Sequence, residues 1–246
     1  MITRAQDALH KSWLNRILIE VADKAVLSQA LIFKGGTCAG MLGYLDRFSV
    51  DLDFDLNPAS DQNLITQQLR SIFDQLGLIV KNASPQAPFF TLGYSSSPSE
   101  RSTIKLSVTT RHYVASRTQT SFFPEIDRYL PHQSIETMFA HKLIALTDRF
   151  ARHASLAGRD IYDIHHFFLT GQSYSGSVIE ERAQMGTAAY LSRLLSFIKD
   201  RMTQKVIDQD INLLLTPEKF HQIRKILLPE TVSFLNQEIQ TLARCV

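Results

Sequence analysis

The chain is expected to fold as α+β: a mixed sheet with flanking helices, followed by a helical bundle. Three observations carry that expectation. Up to about Pro131, short apolar or alternating runs trade places with amphipathic stretches. The loops between the later runs are rich in Ser and Pro ("NASPQAP", "SSSPSE"), as hairpin-like strands require. Beyond Pro131 the spacing of apolar residues is helical throughout. The composition shift near Phe123 to Pro131 divides the chain into residues 1–128, α/β, and 129–246, helical.

Taken in order, Leu14, Ile17, Leu18, Val21, Ala22 and Ala25 fall at helical spacing and predict a helix over about 5–28. Ala30 to Phe33 is a short apolar run that breaks at Lys34-Gly35-Gly36, a strand entering a glycine turn. Thr37 is the expected N-cap of a helix through about Leu45. Ser49 to Leu56 alternates polar and apolar, as a half-buried strand does. Gln62 to Leu76 is helical and stops at Gly77. Leu78–Val80, Phe89–Tyr94 and Thr103–Thr109 read as strands. "SIETMFAHKLIALTDRFARHA" opens on Ser134 and runs on as a long helix. "GRDIYDIHHFFLTG" is a second helix closed by Gly171, and about three more follow, one from Pro217-Glu218.

With 246 residues, 44% apolar and 20% charged, the chain has the make-up of an ordinary globular protein. A net charge of +2 argues neither for nucleic acid nor against it. Cys38 and Cys245 lie far apart, which fits a reducing compartment and no disulfide framework. The charged N-terminus is no signal peptide, and no window holds the ~20 apolar residues of a membrane span. A cytoplasmic protein is expected.

The chemistry concentrates at "RFSVDLDFDL". Residues two apart on a strand share a face, so Asp51, Asp53 and Asp55 line one side while Val50, Leu52, Phe54 and Leu56 pack the other. Asp is depleted from strands, and aligned carboxylates repel unless something positive sits among them. Mg²⁺ takes oxygen ligands and bridges carboxylates to substrate phosphates, and two such ions suit phosphoryl or nucleotidyl transfer. Asp51 and Asp53 are the candidate metal ligands; Asp55, nearest the strand end, is equally readable as a merely exposed residue. Upstream, Gly35 and Gly36 lack Cβ atoms that would obstruct a phosphate. Thr37 and the following helix start add donors. "KGGT" is not a Walker loop, because the spacer and Gly-Lys-Ser/Thr ending are missing.

A glycine-glycine-Ser/Thr turn, a short helix and then Asp-x-Asp resembles the DNA polymerase β-like nucleotidyltransferases. Lys34-Gly35-Gly36-Thr37 with Arg47, Ser49, Asp51, Leu52 and Asp53 is similar, more particularly, to the AbiEii/AbiGii toxin family. That family also shows a helical lysine motif and an Arg/Lys-Asp-x-x-Asp motif, matched by Lys142 and Arg149 in "HKLIALTDR" and by Arg159, Asp160 and Asp163 in "GRDIYDI". The resemblance spans about residues 30–170. It implies a polymerase β-like sheet and a helical domain that completes the cleft. It implies Mg²⁺-dependent transfer of a nucleoside monophosphate from an NTP. Asp51 and Asp53 would hold metal; Lys34, Gly35, Gly36, Thr37, Ser49 and Arg149 would contact the nucleotide. Lys142 would neutralise triphosphate charge, assisted by Asp160 or Asp163. A toxin–antitoxin or phage-defence setting, an RNA acceptor such as the 3′ end of tRNA, and an antitoxin partner are implied as well.

The chain departs from the superfamily at Ser107 of "TIKLSVTTR", where a third carboxylate is expected. This motivates a second reading, a nucleotide-binding regulatory protein with weak turnover. Three lesser patterns complete the inventory. Arg159 and His165 fit the loose Arg-x(4–6)-His spacing of HEPN ribonucleases. His165-His166 diverge on a helix and read as packing rather than ligands, as does Cys38. Arg101, Lys105, Arg111, Arg117 and Arg128 interleave with Phe122, Phe123 and Tyr129, a composition that suits single-stranded RNA or an ordinary hairpin surface.

Overall fold

A computed structural model describes residues 5–94 and 102–244, so Arg101, the loop "SSSPSE" and Cys245 lie outside the described residues. The chain clusters into two compact units: Met1–His112 with Arg117–Ser134, and Tyr113–Ser116 with Ile135–Val246. The 128/129 division drawn from the sequence falls at the start of a strand that clusters with the first unit.

In the first unit, helices α1 (Ala5–Asp23), α2 (Ala25–Ala30), α3 (Gly35–Met41) and α4 (Gln62–Gln75) accompany a sheet. Its strands are β1 (Leu31–Lys34), β2 (Asp51–Leu56), β3 (Ile79–Ala83), β4 (Phe89–Gly93), β5 (Thr103–Thr109), β6 (Thr118–Phe123) and β7 (Arg128–Gln133). They stand in the order β3-β4-β5-β2-β1-β7-β6. β2 lies antiparallel to β1 and parallel to β5, and β1 lies parallel to β7.

The alternation in β2 does what the sequence promised: Leu52, Phe54 and Leu56 are buried and the three aspartates half-buried. Phe33 and Phe54 meet at 5.3 Å between ring centroids. Each is fully buried and contributes about 1.5–3 kcal/mol by leaving water. Phe73 of α4 packs edge-on against Phe90 of β4 at 5.0 Å. Asp61 caps α4, accepting from the Asn63 and Leu64 amides.

Three local expectations need correction. The first helix is broken at Lys24, whose extended backbone (φ −97°, ψ 106°) starts α2 afresh. Thr37 is not an N-cap: Lys34 occupies that position, and Thr37 lies inside α3, which stops at Met41 rather than Leu45. β6 and β7 were not expected: Pro131 lacks an amide hydrogen and argues against β7, and β6, TQTSFF, is mostly exposed with no alternation of apolar residues. The sheet tolerates it because β7 pairs with β1 only around Phe33 and His132.

His132 is fully buried, its Nδ1 donating to the Gln133 carbonyl at 2.7 Å and its Nε2 accepting from Ser121 at 2.9 Å. Burial pulls its pKa below the ordinary 6.5. The unfolded chain then binds a proton more readily than the fold. The contribution is complete above pH 6.5 and is lost as pH falls through the folded value. We expect the unfolding free energy from urea titrations to drop between pH 7.5 and 5.5, by at most ~1.4 kcal/mol per pH unit from this residue. His132→Gln should flatten that dependence.

The second unit is helical: α5 (Ile135–His153), α6 (Gly158–Leu169), α7 (Gly176–Ala183), α8 (Thr187–Arg201), α9 (Gln204–Ile211), α10 (Pro217–Ile223) and α11 (Leu227–Arg244). Five helices therefore follow α6 among the described residues, against the three or so expected. Phe139 of α5 is the hub, in contact with Phe167 and Phe168 of α6 at 5.0 and 4.9 Å. A Cβ on Gly158 would lie 2.5 Å from Ile207 Cα, so only glycine permits α6 to meet α9 this closely. The short segment Tyr113–Ser116 is held by Glu181, whose two carboxylate oxygens accept from the Val114 and Ala115 amides at 2.8 Å each.

Candidate active site

The glycine turn and the aspartate strand meet in the first unit. Gly35 has φ +79°, and a Cβ there would sit 2.8 Å from Asp53 Oδ2. The carboxylate thus rests directly on the turn. At Gly36 a Cβ would meet Arg47 Nη2 at 2.8 Å and Ser49 Oγ at 3.0 Å. At both positions a side chain would have to displace Asp53, or Arg47 and Ser49, from the space they occupy. The Thr37 hydroxyl reaches Ser49 Oγ at 2.9 Å and the Asp51 carbonyl, which ties α3 to the entry of β2.

Gly35→Ala should cost about 1–3 kcal/mol from the left-handed backbone and the displaced Asp53. Gly43→Ala is the control, since Gly43 has φ +81° but nothing within 4 Å of a new Cβ. Urea unfolding of both variants should show the larger loss at Gly35; equal losses would mean that the Asp53 contact carries no weight.

The three aspartates have different surroundings. Asp53 stands beside Ser107 in register, and the Ser107 hydroxyl donates to its Oδ1 at 2.5 Å. Asp55 is committed: Lys34 Nζ forms an ion pair with its Oδ1, and Gln133 Nε2 donates to its Oδ2 at 2.5 Å. Lys34 also donates to the Thr109 hydroxyl at 2.9 Å, so its ammonium is held by Asp55 and Thr109 together. Asp51, half-buried, shares the face and stands in register with the exposed Lys105.

Among the described residues no three His, Cys, Asp or Glu side chains converge as a closed metal cage. The donor set nevertheless suits Mg²⁺ as an open site. Asp51 and Asp53 offer hard oxygen ligands on one strand face beside a turn that excludes side chains, and Mg²⁺ is usually held by one or two carboxylates, with waters and phosphate oxygens completing its shell.

In the second unit Lys142 of α5 forms ion pairs with Asp160 at 3.1 Å and Asp163 at 2.9 Å, both on α6 and both fully buried. Arg149 Nε reaches Asp160 Oδ2 at 3.3 Å. The helical spacings read from the sequence therefore bring these four residues together. Buried carboxylates require such pairing, because an unpaired charge in the interior costs several kcal/mol.

A family model described as "Nucleotidyl transferase AbiEii toxin, Type IV TA system" matches residues 16–227. The chain belongs to the AbiEii nucleotidyltransferase toxin family. Two solved structures share its fold. A putative nucleotidyltransferase from H. pylori has a TM-score of 0.60 at 19% identity, covering 99% of each chain. MenT4, a nucleotidyltransferase toxin from Mycobacterium tuberculosis, has a TM-score of 0.52 at 19% identity, covering 99% of this chain and 90% of that one. No curated protein sequence matches significantly. Among the described residues no helix is long and apolar enough to cross a membrane.

The remaining patterns separate cleanly in this AbiEii chain. His165 is 1% exposed, with Nε2 at 2.7 Å from Glu230 and its ring against Phe234. That leaves no access for RNA, and the ribonuclease pairing with Arg159 is set aside. His166 stacks on Tyr162. Cys38 is buried, which raises its thiol pKa well above the ordinary value, so it packs rather than reacts. The basic–aromatic set divides: Phe123 belongs to the core, and Arg128 pairs with Asp23 of α1 at 2.5 Å. Phe122 and Tyr129 remain exposed and pack on each other at 5.2 Å, and Lys105, Arg111 and Arg117 are exposed.

Sequence reasoning missed one group. Lys11 and Asn15 of α1, with Glu125 of the β6–β7 turn, line a small cavity whose other wall is Gly36, Thr37, Arg47 and Ser49. No motif marks them, because they come from two regions distant in sequence and joined only by the fold.

Proposed function

We propose that this AbiEii nucleotidyltransferase is a Mg²⁺-dependent toxin of a toxin–antitoxin system. In this reading it transfers a nucleoside monophosphate from an NTP to an RNA acceptor, the 3′ end of tRNA, in the cytoplasm. The observation that carries the reading is Asp53 seated against the Gly35 turn, with Asp51 on the same strand face. The acceptor hydroxyl attacks the α-phosphorus, the bond to the β-phosphate oxygen breaks, and pyrophosphate leaves. Mg²⁺, when bound, would supply charge neutralisation at the phosphates. Asp51 and Asp53 would hold it. Gly36, Thr37 and Ser49 admit and contact phosphate oxygens, while Lys142 neutralises charge developing on the leaving group. Asp160 and Asp163 hold the Lys142 ammonium in one orientation through paired short contacts. Arg149 adds a second cation. A cognate antitoxin is the expected protein partner.

The test is incubation of the protein with each α-labelled NTP, Mg²⁺ and total RNA. Labelled RNA is the expected product, and the absence of any labelled RNA or protein under every condition would overturn the reading. Ser107 supports a second one. A serine occupies the position level with Asp53 where the superfamily carries a carboxylate, and a hydroxyl is a poor substitute as metal ligand or base. In that case the chain binds nucleotide with little turnover. Its biological effect would then survive Asp53→Ala, whereas the enzyme reading requires toxicity and label transfer to vanish together.

A further inference from the structure

The cavity beside α3 has a volume of ≈ 70 Å³. That is several times the ~10–15 Å³ that a single water requires, so the space admits a phosphoryl group. Its polar lining is donor-rich: Lys11, Asn15, the buried Arg47 and Ser49 contribute to it, and Glu125 is the one carboxylate among the lining residues.

Lys11 and Glu125 pair at 2.8 Å, with side chains 31% and 33% exposed. The same two residues and Asn15 border an open groove of ≈ 560 Å³ on the other side. The ion pair therefore stands between cavity and groove. An exposed pair of this kind is worth only ~0–1 kcal/mol. An incoming anion with more charge than a carboxylate can therefore replace Glu125 as the partner of Lys11 at small cost.

The geometry points to Lys11 as a binding residue for the phosphate chain of an NTP or for pyrophosphate, with Glu125 as its built-in competitor. The inference rests on the reading of this chain as an NTP-using enzyme, and adds to it residues from α1 and the β6–β7 turn that no motif contains. Occupation of the cavity by a phosphoryl group releases Glu125 toward solvent. An empty cavity keeps Lys11 neutralised.

The experiment is calorimetric titration of the full chain and of Lys11→Ala and Glu125→Gln with inorganic tripolyphosphate, pyrophosphate and orthophosphate. Lys11→Ala should weaken tripolyphosphate binding about tenfold, and Glu125→Gln should tighten it about threefold. Both variants lose the same ion pair, so a purely structural role moves both affinities in one direction. Shifts of the same sign, or both within twofold of the parent, overturn the proposal, as does a parent that binds none of the three anions. Tighter binding of pyrophosphate than of tripolyphosphate assigns the site to the product; the reverse assigns it to the NTP. In the transfer assay the effects should appear in KM for NTP. A parent that binds tripolyphosphate with opposite shifts in the two variants but labels no acceptor would uphold the Lys11 site and remove the transferase reading. Labelling with same-sign shifts would do the reverse.

Discussion

Asp53→Asn should abolish nucleotidyl transfer, by at least ~10³-fold in kcat/KM, while shifting the melting temperature by no more than a few degrees. The substitution is nearly isosteric. The amide oxygen can still accept from Ser107, which now donates to Asp53 Oδ1 at 2.5 Å, and the amide nitrogen fits where Oδ2 lies over Gly35. What disappears is the negative charge. A carboxylate that holds a divalent ion against a phosphate supplies several kcal/mol to the transition state, and ~4 kcal/mol is a factor of 10³. Ser107→Ala separates the metal role from the hydrogen bond: it removes one neutral donor and should cost only about tenfold. Label transfer with varied Mg²⁺, together with circular-dichroism melting, decides the case. More than a few per cent residual activity in Asp53→Asn at saturating Mg²⁺ would show that Asp53 is not a metal ligand.

Lys142→Met should destabilise the chain by about 3–5 kcal/mol, the usual cost of removing one partner from a buried ion pair. Asp160 and Asp163 are both fully buried and share this ammonium at 3.1 and 2.9 Å. Methionine fills the volume of the stem but leaves two carboxylates in the interior with less positive charge. Arg149 still reaches Asp160, while Asp163 loses the ammonium that stands at 2.9 Å. Two-step recovery is therefore expected: adding Asp163→Asn to Lys142→Met should return part of the lost stability, although each change alone destabilises. Urea unfolding of the four proteins measures the coupling. Additive losses would show that the cluster is not energetically linked, and Lys142 would lose its claim to be oriented by the two carboxylates.

Much of the site was legible because its logic is local. An i, i+2 spacing puts Asp51 and Asp53 on one strand face whatever the rest of the chain does, and i, i+3 puts Asp160 and Asp163 on one helix face. The glycine pair was legible as a place where no side chain fits, although only the structure shows that Asp53, Arg47 and Ser49 fill that space. Three features resisted. The fate of Asp55 depended on Lys34 and Gln133, the latter 78 residues away, which spacing cannot reveal. Thr37 looked like a cap because it follows glycines, whereas the helix begins two residues earlier with Lys34 holding an extended backbone. β7 was hidden by Pro131, a residue whose penalty depends on which neighbour needs its amide. The extra helices after α6 were short segments separated by weak turn signals, so their apolar positions merged into a vaguer pattern.

The strand order has a consequence for how the protein is made. β1 sits in the interior of the sheet, and its second neighbour, β7, is the last strand to leave the ribosome. Until Arg128 to Gln133 emerge, a nascent chain carrying the complete glycine turn and aspartate strand presents β1 as an open edge. Asp55 meanwhile lacks the Gln133 amide. The aspartate strand β2 gains both its neighbours, β1 and β5, once Thr109 has emerged, whereas β1, which leads into the glycine turn, stays open on one side until more than half of the polypeptide has been synthesised.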